Sequence, residues 1–139
     1  MSFSGGKDSL TVLNLVKQVY EVDGINKPID VFFFDEEFVP SSTLRFIDEI
    51  RKDPKLNLTY ACLQMESELA YCGRIDTIIQ WGKNRERWTR QIPDYAVTDW
   101  DNIYDVYTVM NYIASRMKGK IANLTGIRAQ ESPTRRSMI

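Results

Sequence analysis

The residues with the clearest chemical potential lie near the start of the chain, in the run Ser-Gly-Gly-Lys-Asp-Ser at positions 4–9. Two consecutive glycines permit positive φ angles and leave the backbone bare, so several N–H groups can converge on one anion. Apolar residues then recur at helical spacing, so a helix is predicted to direct its N-terminal N–H groups and positive dipole end at the same point. Lys7 adds a positive charge, and Ser4 and Ser9 add hydroxyl donors. The pattern predicts a phosphate-binding loop, with a plain glycine turn as the alternative.

Two carboxylates are candidate cation ligands. Asp8 is the exception in the loop because its charge repels a phosphate, and it can instead cap the helix or hold a Mg²⁺ ion that bridges phosphates. Asp35 follows the apolar run 29–34, which is typical of a strand buried on both faces. Ligands of open parallel sheets bind at the carboxyl ends of strands, so Asp35 is predicted to bind Mg²⁺, a ribose or an adenine amino group. For Glu36 and Glu37 the alternative is a solvated acidic turn.

A third candidate group lies in the polar segment at the end of the sequence. Arg128 and Arg135 can each hold sulfate or phosphate oxygens through two hydrogen bonds, and Ser132 can donate one more. Gly126 allows close approach of the backbone after the preceding predicted strand, and Glu131 is expected to orient an arginine. A solvated charged loop is the alternative.

The residue inventory excludes several kinds of catalysis. The chain has no histidine, which removes Ser-His-Asp and Cys-His chemistry, and two cysteines cannot supply the four ligands of an Fe–S cluster or a structural zinc. Cys62, at the end of a predicted strand, can approach a cleft, whereas Cys72 is predicted to be a core residue. Catalysis is therefore expected to depend on lysine, arginine and carboxylate side chains, backbone amides and a bound cation, with Lys7, Arg128 and Arg135 as the candidate catalytic residues.

Composition and charge fit one globular domain over residues 1–139. The chain is 43% hydrophobic, and 18 basic residues nearly balance 19 acidic ones, which argues against a general nucleic-acid coat protein. It has no run of about 20 apolar residues and no signal-peptide pattern, so a cytoplasmic location is expected. The last loop ends where another helix is expected, so the chain is predicted to be a fragment of a longer one.

Short apolar runs alternate with helical segments, which predicts a three-layer α/β/α fold with a mostly parallel sheet. The predicted strands are Phe3, 29–34, 56–63 and 121–127. The predicted helices are 8–20, one beginning at Ser41 or Ser42, 66–81 and 103–117. An irregular insertion is expected near 81–101, and its Trp81, Trp88, Lys83, Arg85, Arg87 and Arg90 could stack on and neutralise a nucleotide or a nucleic-acid strand. Alternatively its tryptophans pack on the sheet and its arginines are solvated.

The loop at residues 4–9 lacks the Walker A and dinucleotide patterns and resembles the SGGxDS PP-loop of the N-type ATP pyrophosphatases. The segment from Gly126 resembles the G-x-R-x-x-[EQ]-S-x-x-R segment of phosphoadenosine phosphosulfate (PAPS) reductases. The W…W-x-R-x-x-P element at 81–93 resembles PAPS sulfotransferase- or reductase-like proteins of phages and bacteria. The chain is thus similar to the PP-loop and PAPS reductase superfamily, although Asp-Glu-Glu at 35–37 replaces the Asp-Thr-Gly that reductases often have.

The resemblance implies an adenine nucleotide α-hydrolase-like, Rossmann-like fold with strand order 3-2-1-4, and a bound PAPS or ATP with Mg²⁺. It implies a role in sulfur transfer or sulfonucleotide metabolism, although the reductases' catalytic cysteine and cluster cysteines have no counterpart here. The alternatives are an adenylylating subunit of a nucleic-acid thiolation or phosphorothioation system, and a non-catalytic nucleotide sensor. The implied nucleotide ligands are Ser4, Gly5, Gly6, Lys7, Asp8, Ser9, Asp35, Gly126, Arg128, Glu131, Ser132 and Arg135, with Asp8 and Asp35 as the Mg²⁺ ligands.

Overall fold

The computed structural model describes residues 1–71 and 73–126, and it describes residues 69–71 by their backbone alone. The chain forms two compact units. The first contains Met1–Phe33, Ser41–Leu58 and the segment that begins at Ala122, and the second contains Phe34–Pro40 and Thr59–Ile121. Within the described residues, no helix is long and apolar enough to cross a membrane.

The sheet is mixed and mostly parallel, which confirms the predicted α/β class. Its strands are β1 (Ile29–Phe34), β2 (Leu56–Tyr71), β3 (Arg74–Gln80) and β4 (Val97–Tyr104). The order is β1-β2-β3, and β4 also pairs with β2. The N–H groups of Ile29 and Asp35 donate to the carbonyls of Lys55 and Ala61, each at 2.9 Å, and this constant offset makes β1 and β2 parallel. The β2–β4 pairing is also parallel, whereas β2–β3 is antiparallel.

The first unit begins with a strand-like segment beside β1. Ser2 forms a parallel bridge with Phe32, and the N–H of Ser2 donates to the carbonyl of Leu124 over 3.1 Å. The backbone order in this unit is therefore β1, residues 1–3, residues 122–124, which is the order that the resemblance implies for these segments. The predicted strand at 121–127 is wrong over residues 121–126, which lack a continuous ladder and form no strand.

Two helices complete the first unit, α1 (Lys7–Val22) and α2 (Ser41–Arg51). Both match the apolar spacing of the sequence, which places Leu13 of α1 and Ile47 of α2 in the core, each 0% exposed. The Phe3 and Phe46 rings lie 6.3 Å apart in the same core. Pro54 cannot continue α2, so the chain turns there into β2.

The second unit contains a β-hairpin where the sequence predicts a helix over 66–81. That prediction is wrong, because β2 continues to Tyr71 and pairs with β3 in a register that places Glu66 opposite Ile79. The residues of β3 include three isoleucines and a threonine, whose branched Cβ atoms favour the extended backbone. Gly73 makes the tight turn with a φ of 76°.

The predicted helix over 103–117 is shorter in the structure, because Ile103 and Tyr104 belong to β4 and α3 covers only Thr108–Ser115. Asp105 lies three residues before this helix, and its carboxylate accepts the N–H groups of Tyr107 and Thr108 at 2.9 and 2.7 Å. These hydrogen bonds lower the pKa of Asp105, and they satisfy amides that lack a partner at a helix start. Residues 81–96 contain no strand or helix, and β4 begins at Val97 within the predicted insertion.

Candidate functional site

The loop at residues 4–9 has a backbone that demands glycine. Gly5 has a φ of 76°, and a Cβ atom there would lie 2.7 Å from Cγ2 of Thr43 on α2. A side chain at this position would meet both backbone strain and a collision. The packing of α2 under the loop therefore explains why a small residue is needed at position 5.

The two serine hydroxyls of the loop bind its own backbone. Oγ of Ser9 donates to the carbonyl of Gly6 at 2.9 Å and lies 3.1 Å from Oγ of Ser4, which accepts the N–H of Gly6 at 3.3 Å. Ser9 is 5% exposed. In this geometry Ser9 holds the loop in shape, whereas the exposed Ser4 and Lys7 can reach a ligand.

The loop leads directly into a helix end that suits an anion. Gly6 is the N-cap residue of α1, and without a side chain it supplies no capping hydrogen bond to the first turn. Gly6 and Lys7 are both exposed. The N–H groups and positive dipole end of such a terminus attract a phosphate or sulfate, and the Lys7 ammonium adds to this attraction.

Gly126, predicted from the far end of the sequence, lies against this loop. A Cβ atom on Gly126 would lie 2.8 Å from the carbonyl carbon of Asp8 and 2.8 Å from the backbone nitrogen of Ser9. The structure thus brings two of the three predicted ligand-binding segments together within the first unit. The remaining predicted residues of that segment lie outside the described residues: Arg128, Glu131, Ser132 and Arg135.

A second polar cluster, which we call the carboxylate hub, lies in the second unit around Asp35 and Glu37. Asp35 is 3% exposed. Its Oδ1 accepts a hydrogen bond from the N–H of Glu37 at 3.0 Å and forms an ion pair with Arg90. Its Oδ2 accepts the hydroxyl of Tyr60, and the Cys62 thiol lies 3.8 Å from the same oxygen. The predicted nucleotide ligand is therefore occupied by protein donors in this geometry.

Glu37 is the centre of the hub, with a fully buried side chain and a φ of 64°. Its carboxylate accepts the backbone N–H groups of Trp81 and Thr89 at 2.8 and 3.0 Å and forms an ion pair with Arg85. Its backbone carbonyl accepts the Thr89 hydroxyl at 2.8 Å. The solvated acidic turn is thus wrong for Glu37, whereas Glu36 is exposed.

The hub binds two of the three arginines in the segment 85–90. Arg85 and Arg90 form ion pairs inside the second unit, and the Arg90 guanidinium lies 5.1 Å from the centre of the Trp81 ring. Two of the three arginines predicted to contact nucleic acid are therefore held by protein carboxylates, and Arg87 remains exposed. The signal in the sequence was the opposite charge of the acidic run at 35–37 and the basic run at 83–90.

The tryptophans of the same segment pack on one another. Trp88 stacks on Trp100 with ring centres 5.6 Å apart and an angle of 6°, and its indole N–H donates to the carbonyl of Gly82 at 3.0 Å. Trp81 is 0% exposed and meets Trp88 edge to face. This arrangement matches the alternative in which the tryptophans are structural.

The residues present give little support for a Mg²⁺ ion. Asp35 would have to release one of its protein donors to bind a cation, because both of its oxygens are occupied. Within the described ranges, no group of three or more Cys, Asp or Glu side chains could hold a metal ion. Asp8, the other predicted ligand, lies in the first unit. The Mg²⁺ ligands therefore stay predictions.

Cys62 is expected to react slowly with alkylating reagents in the folded protein. Its side chain is 0% exposed, and burial, reinforced by the negative charge of Asp35, raises the pKa of the thiol. The thiolate is the reactive form, so little of it is present at neutral or mildly alkaline pH. Iodoacetamide labelling at pH 8, with peptide mapping by mass spectrometry, should modify Cys62 at least tenfold more slowly in native than in urea-unfolded protein. Equal rates in the two states would show that the thiol is accessible.

The family comparison covers nearly the whole chain. The family model of the phosphoadenosine phosphosulfate reductase domain matches residues 1–138, from before the glycine loop to the end of the basic segment. No curated protein and no solved structure matches the chain at a significant level.

Proposed function

Because this chain belongs to the phosphoadenosine phosphosulfate reductase domain family, whose members bind adenine nucleotides, we propose that residues 4–9 hold the phosphate groups of PAPS or ATP. The observation that carries this proposal is the contact between Gly126 and the loop. Two segments more than a hundred positions apart meet there with no room for a side chain. Next to this contact, the exposed Gly6 and Lys7 present the start of α1 to phosphate oxygens.

PAPS is the nucleotide that we place first. Lys7 and the start of α1 offer positive charge to the 5′ sulfo-phosphate group, and Arg128 and Arg135 follow Gly126 closely enough in sequence to reach the remaining anionic oxygens. Transfer would break the bond between sulfur and the bridging phosphate oxygen while a bond forms from sulfur to an acceptor, and adenosine 3′,5′-bisphosphate would leave. The protein would contribute orientation and charge neutralisation, since the chain has no histidine base.

The burial of Cys62 favours an acceptor other than this thiol. A cysteine nucleophile needs an accessible thiolate, and Cys62 has neither exposure nor a lowered pKa. We therefore propose a sulfotransferase-like step, in line with the sequence resemblance to proteins of that type in phages and bacteria, over a reductase step by this cysteine.

An adenylylating reaction is the second candidate, supported by the PP-loop sequence itself. In that reaction an acceptor oxygen attacks the α-phosphorus of ATP, the bond to the pyrophosphate oxygen breaks, and pyrophosphate leaves from residues 4–9. Lys83 and Arg87 are the exposed cations of the segment at 83–90, and a nucleic-acid acceptor could meet them. Binding that weakens steeply with salt would support that acceptor.

Isothermal titration of the protein with PAPS, with ATP plus Mg²⁺ and with AMP tests the proposal. We expect PAPS to bind most tightly, and the variants Lys7→Ala and Arg128→Ala to weaken binding about 10- to 100-fold, as the loss of a charge-assisted hydrogen bond predicts. Lys118→Ala removes an exposed lysine of the second unit and should leave the affinity unchanged. ATP binding in preference to PAPS would favour the adenylylating reaction. A folded protein that binds none of these nucleotides would contradict the proposal.

A further inference from the structure

A cavity unrelated to the glycine loop lies in the first unit, beside the C-terminal end of α1. It has a volume of about 340 Å³ and is open to solvent along one side, since most of its lining residues are exposed. Its walls come from the last turns of α1, the connection to β1 and the residues before β2. The lining residues that bear on ligand binding are Lys17, Tyr20, Glu21, Ile25, Lys27 and Lys55.

The backbone of the cavity walls is held by hydrogen bonds that need no ligand. The N–H of Ile25 donates to the carbonyl of Tyr20 at 2.8 Å, which closes the end of α1, and the N–H of Ile29 donates to the carbonyl of Lys55 at 2.9 Å. Gly24 has a φ of 64°, and the space beside its Cα is open, because no atom lies within 4 Å of the position that its Cβ would take. The cavity is thus a preformed feature of the unit.

The charge of the lining is positive. The lining contains three lysines and one acidic residue, Glu21. Lys17 is already occupied, since its ammonium lies 2.6 Å from the carboxylate of Asp53 and this hydrogen bond lowers the pKa of Asp53. Lys27 and Lys55 form no ion pair with the described residues and can both attract an anion, although the Lys55 charge also contributes to the lowered pKa of Asp53.

The lining combines these charges with apolar surface. Tyr20, Ile25 and two prolines supply ring and aliphatic surface beside the two available ammonium groups. A bare inorganic anion uses only the charges, whereas an organic anion also removes the apolar surface from water. We propose that this cavity binds a small organic acid, with its carboxylate between Lys27 and Lys55 and its apolar body against Tyr20 and Ile25.

Titration of isotope-labelled protein with benzoate, followed by the amide signals in ¹H–¹⁵N spectra, tests the proposal without any variant. Benzoate should shift the amides of residues 24–27 saturably in the millimolar range. Benzamide, which has the same shape without the charge, should bind at least fivefold more weakly. Inorganic phosphate, which has charge without an apolar body, should also bind at least fivefold more weakly. Equal binding of benzamide or phosphate, or the absence of saturable shifts with benzoate, would overturn the proposal.

A charge-matched pair of double variants locates the anion. Lys27→Gln with Lys55→Gln should weaken benzoate binding at least fivefold, because both ammonium groups are lost. Lys118→Gln with Lys120→Gln removes the same charge from exposed positions of the second unit and should leave the affinity unchanged. If both double variants weaken binding equally, the effect is the net charge of the protein and the assigned site is wrong. This test is independent of nucleotide binding at residues 4–9.

Discussion

Replacement of Glu37 by alanine is expected to lower the free energy of unfolding by about 3–5 kcal/mol, since two backbone N–H groups left without an acceptor cost about 1–3 kcal/mol each and an ion pair is lost as well. The change removes the acceptor of the Trp81 and Thr89 N–H groups as well as the carboxylate that pairs with Arg85. Urea unfolding measures the loss, and the tryptophans of the second unit provide the fluorescence signal.

Glu36→Ala is the matched control. Glu36 is the same residue type one position earlier and is exposed, so its removal should change the free energy of unfolding by less than about 0.5 kcal/mol. Glu37→Gln should fall between the two, because the amide oxygen still accepts a hydrogen bond although the charge is gone. This milder variant keeps the test available if Glu37→Ala does not fold. Equal stability of Glu37→Ala and Glu36→Ala would show that the hub contributes nothing.

A coupling measurement separates the ion pair from the backbone hydrogen bonds of Glu37. In a double-mutant cycle with Arg85→Ala, the sum of the stability losses of the two single variants should exceed the stability loss of the double variant. The reason is that either single change leaves the other charge without its partner. Simple additivity would mean that Glu37 acts through its bonds to the Trp81 and Thr89 backbone alone. The cycle therefore apportions the effect between charge and backbone positioning.

Gly126→Ala is expected to weaken nucleotide binding at least tenfold while costing about 1–3 kcal/mol of stability, the range typical of overpacking. The new Cβ atom would lie 2.8 Å from backbone atoms of Asp8 and Ser9, and backbone cannot rotate out of the way as a flexible side chain does. The loop and the start of α1 must then move, which displaces the N–H groups proposed to bind the phosphates. Titration calorimetry with PAPS and urea unfolding measure the two effects.

Gly24→Ala provides the comparison for Gly126→Ala. Gly24 has a φ of 64° but no neighbour within 4 Å of an added Cβ, so alanine meets backbone strain alone. We expect a stability loss of about 1–2 kcal/mol from the left-handed conformation and an unchanged nucleotide affinity. If both variants lost affinity equally, the effect would be general destabilisation and the role of Gly126 at the loop would be wrong.

Local patterns predicted the parts of the fold that depend on neighbouring residues. The apolar spacing of α1, the start of α2 and the apolar run of β1 can each be read within a short window, because helix and strand periodicity are properties of consecutive residues. The hairpin of β2 and β3 was missed, since its isoleucines also fit helical spacing. Only pairing with β2 selects the extended form of Arg74–Gln80.

The features of the candidate sites also divide into those predicted from neighbouring residues and those that depend on the tertiary structure. The family resemblance and the predicted anion binding of residues 4–9 came from the sequence alone, because glycine freedom, serine hydroxyls and a helix start are local properties. The contact of Gly126 with Asp8 and Ser9, and the burial of Glu37, were decided by the tertiary structure. The physical reason is burial. In the sequence alone, Glu37 is indistinguishable from a solvated acidic residue. Folding removes water from its carboxylate, and the buried charge then needs its pairing with Arg85.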